Sequence, residues 1–287
     1  MAAVYKKEVR SYFTSMIGCV FIAFALVIIG LYFFANNLYS GYPYFGYSLS
    51  ASFFVFLILI PVLTMRSMAE DRKQKTDQML LTNPISTWSV IISKYLAMLT
   101  VFAVVIAVIC LYPLIMAAYG TISFSMAYTS ILGFALMGCM AIAIGLFVSS
   151  ITESQVISAV ITFLILFVLY MAEAISDLIP TSSWINLVAF MILMVAISAL
   201  IDYLTDNSLV SGIVGVAGIV ILAVAYLMDS GTFEGAFGDL IASLSLTEHF
   251  YNFASGIIDI PGIVFYLSGS FLFLFLADQV WERRRWN

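Results

Sequence analysis

Long apolar runs alternate with short polar stretches along most of the chain. Eight of these runs approach the roughly 20 residues that a helix needs to cross the hydrocarbon core of a bilayer. A membrane helix satisfies its own backbone hydrogen bonds, and the period-2 alternation typical of a membrane barrel is missing. The pattern therefore predicts an all-α polytopic membrane protein of about eight transmembrane helices. The predicted limits are 15–34, 48–64, 96–119, 128–149, 156–171, 184–201, 209–228 and 262–277.

The composition of the chain is that of an integral membrane protein. Hydrophobic residues make up 63% of the 287 residues and charged residues 9%, with a mean hydropathy of +1.11. In a soluble domain about 25% of residues are charged. The first apolar run is too long for the h-region of a cleavable signal peptide, so we expect it to stay in the membrane. The three cysteines fall inside predicted spans and are interpreted as small apolar residues.

The lysines and arginines indicate how the chain is oriented. All eleven fall into three groups: one before the first span, one between positions 66 and 94, and one at 283–285. Basic residues mark the cytoplasmic ends of membrane helices. Eight spans place all three groups on one side, so we expect both termini and the 65–95 loop to be cytoplasmic. The opposite face has acidic residues but no lysine or arginine, which argues against a nucleic-acid partner there.

The 65–95 segment is longer than a connection between two spans needs to be. Six charges that sum to zero occupy the eight positions from Glu70 to Asp77. Anionic lipid favours a one-sided basic cluster, whereas these charges alternate in sign. Their spacing predicts a short surface helix, with Ser86 as the N-cap of the following span. We interpret the segment as a docking site for a protein partner with a charge-patterned groove; the alternative is a passive solvated loop.

Aromatic side chains crowd the first predicted outer loop, NNLYSGYPYFGYS. Such rings commonly form the belt at a membrane interface. A belt is the favoured interpretation, and a substrate-binding lip is the alternative.

Three separated stretches carry a family resemblance. They are YKKEVRSYFTSMIGCVFIAF near the N-terminus, MRSMAEDRKQKTDQMLLTNPISTWSVIISKYLA after the second predicted span, and LSLTEHFYNFASGIIDIPGIVFYLSGSFLFLFLADQVWERRRW near the C-terminus. In content and order they resemble the ABC-2 type permeases, the membrane subunits of a class of ABC exporters. The resemblance is to the gliding-motility-associated branch in particular.

The resemblance implies a role for each stretch. The first would be an amphipathic elbow helix on the cytoplasmic surface, formed by residues that include Tyr5, Lys6, Lys7, Arg10, Tyr12 and Phe13. The second would carry a coupling helix whose side chains contact the ATPase subunit, namely Met68, Glu70, Asp71, Arg72, Lys73, Lys75, Thr76, Asp77 and Met79. The third would include short helices dipping into the outer leaflet, around Glu248, His249 and Phe250.

On this basis we predict a single transmembrane domain, 1–287. Its parts are an elbow helix (1–14), spans one and two (15–64), a coupling-helix loop (65–95), spans three to five (96–171), an extra hairpin (184–228), an outer-face segment (229–261), and the last span with a basic tail (262–287). The family core has six spans, so the hairpin is an addition that preserves the orientation.

Two positions depart from the family pattern. Members often have a proline after the serine that starts the first span, and a glycine before the threonine of the coupling loop. This chain has Met16 and Lys75 at those positions. The departures imply a less kinked start to the first span and an altered coupling contact.

The sequence offers little chemistry of its own. It contains no GxxxxGK[ST] motif, the P-loop that binds ATP phosphates. The predicted spans carry no ionisable residue near their middle, where a proton-coupled transporter would place one. The one histidine, His249, has no second histidine or cysteine nearby, which favours an interfacial or structural role over a metal site. We expect no catalytic, cofactor or metal site in this chain; ATP and magnesium would be bound by a partner ATPase.

The sequence therefore predicts the permease subunit of an ATP-driven ABC-2 exporter in a prokaryotic cell membrane. The implied partners are two copies of an ABC ATPase subunit, a second copy of this chain or a related permease, the bilayer, and an auxiliary membrane or extracytoplasmic subunit. A mainly apolar path favours a hydrophobic or amphipathic substrate. The alternative is an ATP-independent secondary transporter or scaffold, which would tolerate changes at Lys73, Lys75 and Asp77.

Overall fold

Helices make up nearly all of the structure, a computed structural model that describes residues 2–75, 86–120, 122–205, 208–228 and 230–286. Within these ranges the chain is all-helical, as predicted. A π-helical segment, Phe33–Tyr39, and a 3-10 turn, Ser230–Phe233, join longer helices. The α-helices are α1 (Ala2–Thr14), α2 (Met16–Tyr32), α3 (Phe45–Thr64), α4 (Ala69–Lys73), α5 (Thr87–Ile109), α6 (Tyr112–Tyr119), α7 (Phe124–Ile151), α8 (Gln155–Asp177), α9 (Ser183–Thr205), α10 (Ser208–Met228), α11 (Ala236–Ala242), α12 (Leu246–Ala254) and α13 (Ile260–Trp286).

Six helical stretches in the described residues are long and apolar enough to cross a membrane. They are Met16–Tyr39, Phe45–Lys73, Thr87–Tyr119, Phe124–Ile151, Gln155–Asp177 and Ile260–Arg283. A bent pair, Gly215–Met228 with Gly231–Ala242, would make a seventh. Both halves of the predicted 184–228 hairpin are helical, as α9 and α10, whereas the count of eight spans stays a prediction.

The helix α5 begins at Thr87, well before the predicted start of the third span at position 96. Ser86 explains the earlier start. Its backbone is extended and its side-chain oxygen accepts a hydrogen bond from the amide of Ser89 at 3.3 Å, which satisfies one of the unpaired donors of the first turn. The predicted N-cap is confirmed. Residues 76–85, and with them Thr76, Asp77 and Met79, lie outside the described residues.

The chain forms two compact units, Met1–Val168 with His249–Asn287, and Leu169–Glu248. In the first unit α7 is central and packs against α3, α5 and α13. The ring of Phe134 on α7 lies 4.8 Å from that of Phe56 and 6.1 Å from that of Phe102. A Cβ at Gly138 would lie 2.3 Å from the Phe102 ring, so only glycine allows this approach. Aromatic packing around one buried helix therefore holds the spans of this unit together.

The chain turns sharply between α1 and α2. Ser15, between the two helices, has an extended backbone (φ −85°, ψ 153°). Gly18 then passes so close to the backbone of Tyr12 that a Cβ would lie 2.3 Å from the Tyr12 carbonyl oxygen. The break between α1 and α2 therefore forms without proline, through an extended serine and a close-packed glycine, and a start less kinked than in the family pattern stays a prediction.

The second unit is built around the α9–α10 pair. The ring of Phe190 on α9 lies edge to face against that of Phe237, at 5.2 Å. The buried Asn186 side chain donates to the carbonyl oxygens of Pro180 and Ser182 at 3.1 and 3.0 Å, and it accepts from the amide of Phe237 at 3.3 Å. These contacts fix α11 and the turn before α9 against the start of α9.

Candidate functional site

Charged side chains from α1, α4 and α5 converge on Lys94. Its ammonium lies 3.0 Å from Oε1 of Glu8 and 2.6 Å from Oδ2 of Asp71, and it donates to the carbonyl oxygen of Ser67 at 2.6 Å. The Lys94 side chain is 1% exposed, and those of Glu8 and Asp71 are 12% and 15% exposed. Three oxygen atoms thus lie within 3.0 Å of the ammonium nitrogen. We call Glu8, Ser67, Asp71 and Lys94 the charged junction.

Burial means that the charged junction defines one arrangement of its helices but adds little to the net free energy of folding. The free-energy cost of removing two carboxylates and an ammonium from water is nearly as large as the free energy gained from their attraction. Loss of Lys94, however, leaves two buried carboxylates without their counter-ion, which costs about 3–5 kcal/mol. The charged junction therefore fixes how α1, the 65–75 segment and α5 fit together.

The helix α1 presents its tyrosines to the bundle and its basic residues to the outside. Tyr12 is buried, and its hydroxyl donates to the carbonyl oxygen of Leu63 at 3.4 Å. Burial raises the pKa of Tyr12, and the neighbouring Glu8 carboxylate raises this pKa further, so the phenol stays a neutral donor. Tyr5 shares a 2.8 Å hydrogen bond with Thr100. The remaining residues of the predicted elbow face are exposed: Lys6, Lys7, Arg10 and Phe13.

The start of α4 is held by a serine near the end of α7. The hydroxyl of Ser149 accepts hydrogen bonds from the amides of Met68 and Ala69, both at 3.0 Å. The same hydroxyl donates to the carbonyl oxygen of Met65 at 3.3 Å. The serine thus takes up two amide donors that the first turn of a helix leaves without an intrahelical partner.

A second contact to α7 comes from Arg72. Its Nη1 donates to the carbonyl oxygen of Ser150 at 2.9 Å, and its Nη2 lies 3.3 Å from Oε1 of Glu153. The Arg72 side chain is 4% exposed, whereas that of Glu153 is 75% exposed. The 65–75 segment is therefore attached to α5 through buried ions, and to α7 through a serine and an ion pair open to water.

The residues predicted to contact an ATPase fall into two groups in the structure. Met68 and Arg72 are buried, Asp71 belongs to the charged junction, and Glu70 pairs with Arg66 one turn earlier. Lys73 and Lys75 are exposed. The prediction of an ATPase contact is untested for all of these residues, but Lys73 and Lys75 are the ones whose charges are free to meet a partner.

The helix α4 ends earlier than the predicted charge rows imply. It stops at Lys73, and Lys75 adopts a left-handed backbone with φ +57°. Glycine populates this region without cost, whereas a residue with a Cβ does not. The glycine of the family pattern thus corresponds to a position where the backbone itself favours glycine.

A polar cavity of about 150 Å³ lies between α1 and the 65–75 segment, with the charged junction on its wall. Its size and polar lining suit it to water. Its lining residues are Lys7, Glu8, Ser11, Tyr12, Ser15, Arg66, Ser67, Glu70, Asp71, Gln74 and Lys94.

The aromatic loop after the π-helical segment is held by an asparagine. The buried Asn37 amide donates to the carbonyl oxygens of Tyr42 and Tyr44 at 2.7 and 3.3 Å, and its oxygen accepts from Ser48 at 2.7 Å. Tyrosines 42, 44 and 47 border an open cavity of about 290 Å³ together with Tyr251. We call Asn37 and these four tyrosines the aromatic end. Belt and substrate lip both remain interpretations of it.

The residues predicted for the outer-face helices have structural contacts. The ring of His249 stacks on Phe265 at 4.1 Å, and Phe250 is buried with its ring 4.5 Å from that of Phe53. The amide of Glu248 donates to the hydroxyl of Ser245 at 3.3 Å, at the start of α12. The short helices α11 and α12 are confirmed as elements, and their position at a membrane surface stays a prediction.

Sequence reasoning missed the residues that attach the 65–75 segment to the spans. Lys94, Ser149 and Ser150 are not among the predicted site residues, and Glu8 lies within the predicted elbow helix (1–14) without being one of its predicted site residues. One signal was available for Lys94: a single charge in the apolar stretch SVIISKYLAML, which had to find a partner once buried. Ser149 and Ser150 gave no such signal in the sequence, because hydroxyl side chains are common in membrane helices.

These features define a helical membrane protein in which an interhelical segment, 65–75, is attached by polar contacts to α5 and α7. Residues 33–228 match a family described as ABC-2 family transporter protein. The match covers more than half of the chain, so the chain belongs to the ABC-2 transporter family and is a multi-pass membrane protein of the permease type. The matched region includes α9 and α10, the predicted extra hairpin. No curated protein and no solved structure matches the chain.

Proposed function

We propose that this chain is the permease subunit of an ABC-2 exporter whose ATPase is a separate chain. Family membership supports a permease, and the sequence lacks a P-loop with which to bind ATP. The observation that carries the proposal is the 65–75 segment. Its backbone is fastened to the bundle on two sides, while Lys73 and Lys75 stay exposed at the end of α4. A rigidly mounted, exposed pair of charges is suited to docking a partner.

In the proposed mechanism, α4 docks on the ATPase and follows it when ATP binds and is hydrolysed. Displacement of α4 passes to α5 and α1 through the charged junction, and α4 shifts against α7 at its contacts with Ser149 and Ser150. The spans shift and open a path for substrate. The chain itself supplies no group to the hydrolysis reaction; ATP and magnesium are bound by the partner.

Several finer features belong to the same proposal. The charged junction and both termini face the cytoplasm, the chain crosses the cell membrane eight times, and it works with two ATPase subunits and a second permease. The substrate is hydrophobic or amphipathic, and the branch is the gliding-motility-associated one of a prokaryote. An auxiliary subunit outside the cytoplasm would complete the complex.

Co-purification from the native cells tests the docking step. We expect the wild-type chain to recover a P-loop ATPase in mild detergent, and the Lys73→Glu, Lys75→Glu variant to lose it. The matched control is Lys6→Glu, Arg10→Glu, which makes the same charge change at exposed positions of α1 outside the lining of the polar cavity and should keep the ATPase. Absence of any ATPase with the wild type, or its retention by the Lys73, Lys75 variant, would overturn the proposal and turn attention to transport driven by an ion gradient.

A further inference from the structure

We propose that Lys94 is a positioning residue that makes α1, the 65–75 segment and α5 move as one body, with α7 as the partner against which that body shifts. The inference rests on the proposed function for its transport consequence. The rigid connection itself is a property of the chain alone.

The first step of the argument is that one ammonium joins three elements. Glu8 comes from α1, Asp71 from α4, and Lys94 from α5, and the carbonyl oxygen of Ser67 lies just before α4. None of these partners is close in sequence to Lys94, so local structure does not impose the arrangement. Moving any one element away from the other two breaks a buried contact of Lys94.

The second step compares the two attachments of the 65–75 segment, one to Lys94 on α5 and one to α7. They differ in how many buried charges lose their partners when the attachment opens. Separation at Lys94 leaves buried charges facing each other without a counter-ion, which is costly. Separation from α7 displaces one buried charge, the Arg72 guanidinium, but its acceptor there is the neutral carbonyl oxygen of Ser150, and Ser149 contributes a neutral hydroxyl. The one ion pair there ends on Glu153, which is 75% exposed and remains hydrated when Arg72 leaves. Neutral or hydrated contacts open more cheaply than buried ions.

The third step excludes a ligand as the reason for the buried lysine. The ammonium donates to Oε1 of Glu8 and to the carbonyl oxygen of Ser67, at 3.0 and 2.6 Å, and it lies 2.6 Å from Oδ2 of Asp71. The Lys94 side chain is 1% exposed and two carboxylates flank it, a surrounding that repels a phosphate or another anionic ligand. The arrangement is therefore suited to transmitting movement rather than to binding a ligand.

Hydrogen exchange on the full chain in lipid nanodiscs tests the connection without any ATPase. We expect Lys94→Met to speed exchange of the α1 amides by about tenfold or more, because α1 loses its buried attachment. The matched control, Arg72→Met, should leave α1 exchange unchanged. Should Lys94→Met fail to fold, the neutral variant Glu8→Gln, Asp71→Asn, Lys94→Met removes the uncompensated charges and should still speed α1 exchange. Lys94→Arg, which keeps the charge, should restore part of the protection.

Distances between spin labels test the movement in the complex with ATPase. One label replaces Lys6 on α1 and the other Gln74, in a chain whose three native cysteines are alanine. We expect the wild-type distance to be the same with and without ATP, and the Lys94→Met distance to change when ATP binds. A role in stability alone would not make the distance depend on nucleotide.

The two failures are distinguishable. If α1 exchange in Lys94→Met equals that of the wild type, or if the wild-type label distance changes with ATP, the inference is overturned while ATPase docking can stand. If no ATPase binds but exchange responds as expected, the proposed function fails while the connection through Lys94 stands.

Discussion

The charged junction and the aromatic end both hold a loop against the same helical unit, but they do so with different chemistry. At the charged junction an ammonium with two carboxylates fastens the 65–75 segment, and the ions are almost completely buried. At the aromatic end the neutral amide of Asn37 holds the backbone, while the tyrosine rings stay about half exposed. Buried ions tolerate only one geometry, whereas exposed rings leave surface free for lipid or substrate. The first region is suited to transmit movement and the second to make adaptable contacts.

The largest effect that separates the two regions should come from Lys94→Met. The substitution leaves Glu8 and Asp71 buried without a counter-ion, and we expect it to lower the free energy of unfolding by about 3–5 kcal/mol. Denaturant unfolding in detergent measures it. The neutral variant Glu8→Gln, Asp71→Asn, Lys94→Met should recover part of the loss. A loss below about 1 kcal/mol for Lys94→Met would mean that water reaches the junction freely.

A smaller loss is expected at the aromatic end from Asn37→Ala. The variant leaves the carbonyl oxygens of Tyr42 and Tyr44 and the hydroxyl of Ser48 without their amide partner, at a cost of about 1–3 kcal/mol. Asn36→Ala is the control, since Asn36 makes one long contact to Ser48 at 3.4 Å and should change stability little. Thermal unfolding compares the two. Equal effects would show that Asn37 does not hold the loop.

The backbone at the end of α4 should respond in opposite directions to two glycine substitutions. Lys75→Gly relieves a left-handed backbone and should stabilise the chain by about 1 kcal/mol. Lys73→Gly places glycine at the last helical residue of α4 and should destabilise the chain, by at most about 1 kcal/mol. The unfolding midpoints of the two variants, compared with that of the wild type, show whether each substitution stabilises or destabilises the chain. A destabilising Lys75→Gly would contradict the assigned backbone conformation.

The smallest effect should come from Tyr47→Leu at the aromatic end. The side chain is 59% exposed, and we expect a change in stability within about 0.5 kcal/mol. Transport, rather than stability, would then decide between the two interpretations of these rings. An unchanged transport rate in Tyr47→Leu favours the interfacial belt, and a several-fold loss favours the substrate lip.

The sequence was a good guide to the helices because their signal is local. Apolar runs and the cap at Ser86 are visible in consecutive residues, and α2, α3, α7 and α8 lie close to the predicted spans. The apolar run placed the third span only from position 96, whereas the predicted cap at Ser86 marks the start of α5, which packs on α1. Polarity alone does not separate a loop from the partly buried first turns of a helix.

The candidate site was predictable in location but not in arrangement. Charge density singled out the 65–75 segment, yet it did not distinguish Arg72, which is buried, from Lys73, which is exposed. That difference depends on α7, more than 70 positions later in the chain, which supplies the carbonyl oxygen of Ser150. Pairings over such separations have no local sequence signal.

Site-specific photo-crosslinking in living cells tests the central claim most directly, that the exposed end of α4 docks an ATPase. A photoreactive residue replaces Lys73 in one strain and Tyr44, at the aromatic end, in another. Our account predicts that the adduct from position 73 contains a P-loop ATPase chain and that the adduct from position 44 does not. Absence of the ATPase from the position-73 adduct, or equal yields from both positions, would contradict the account.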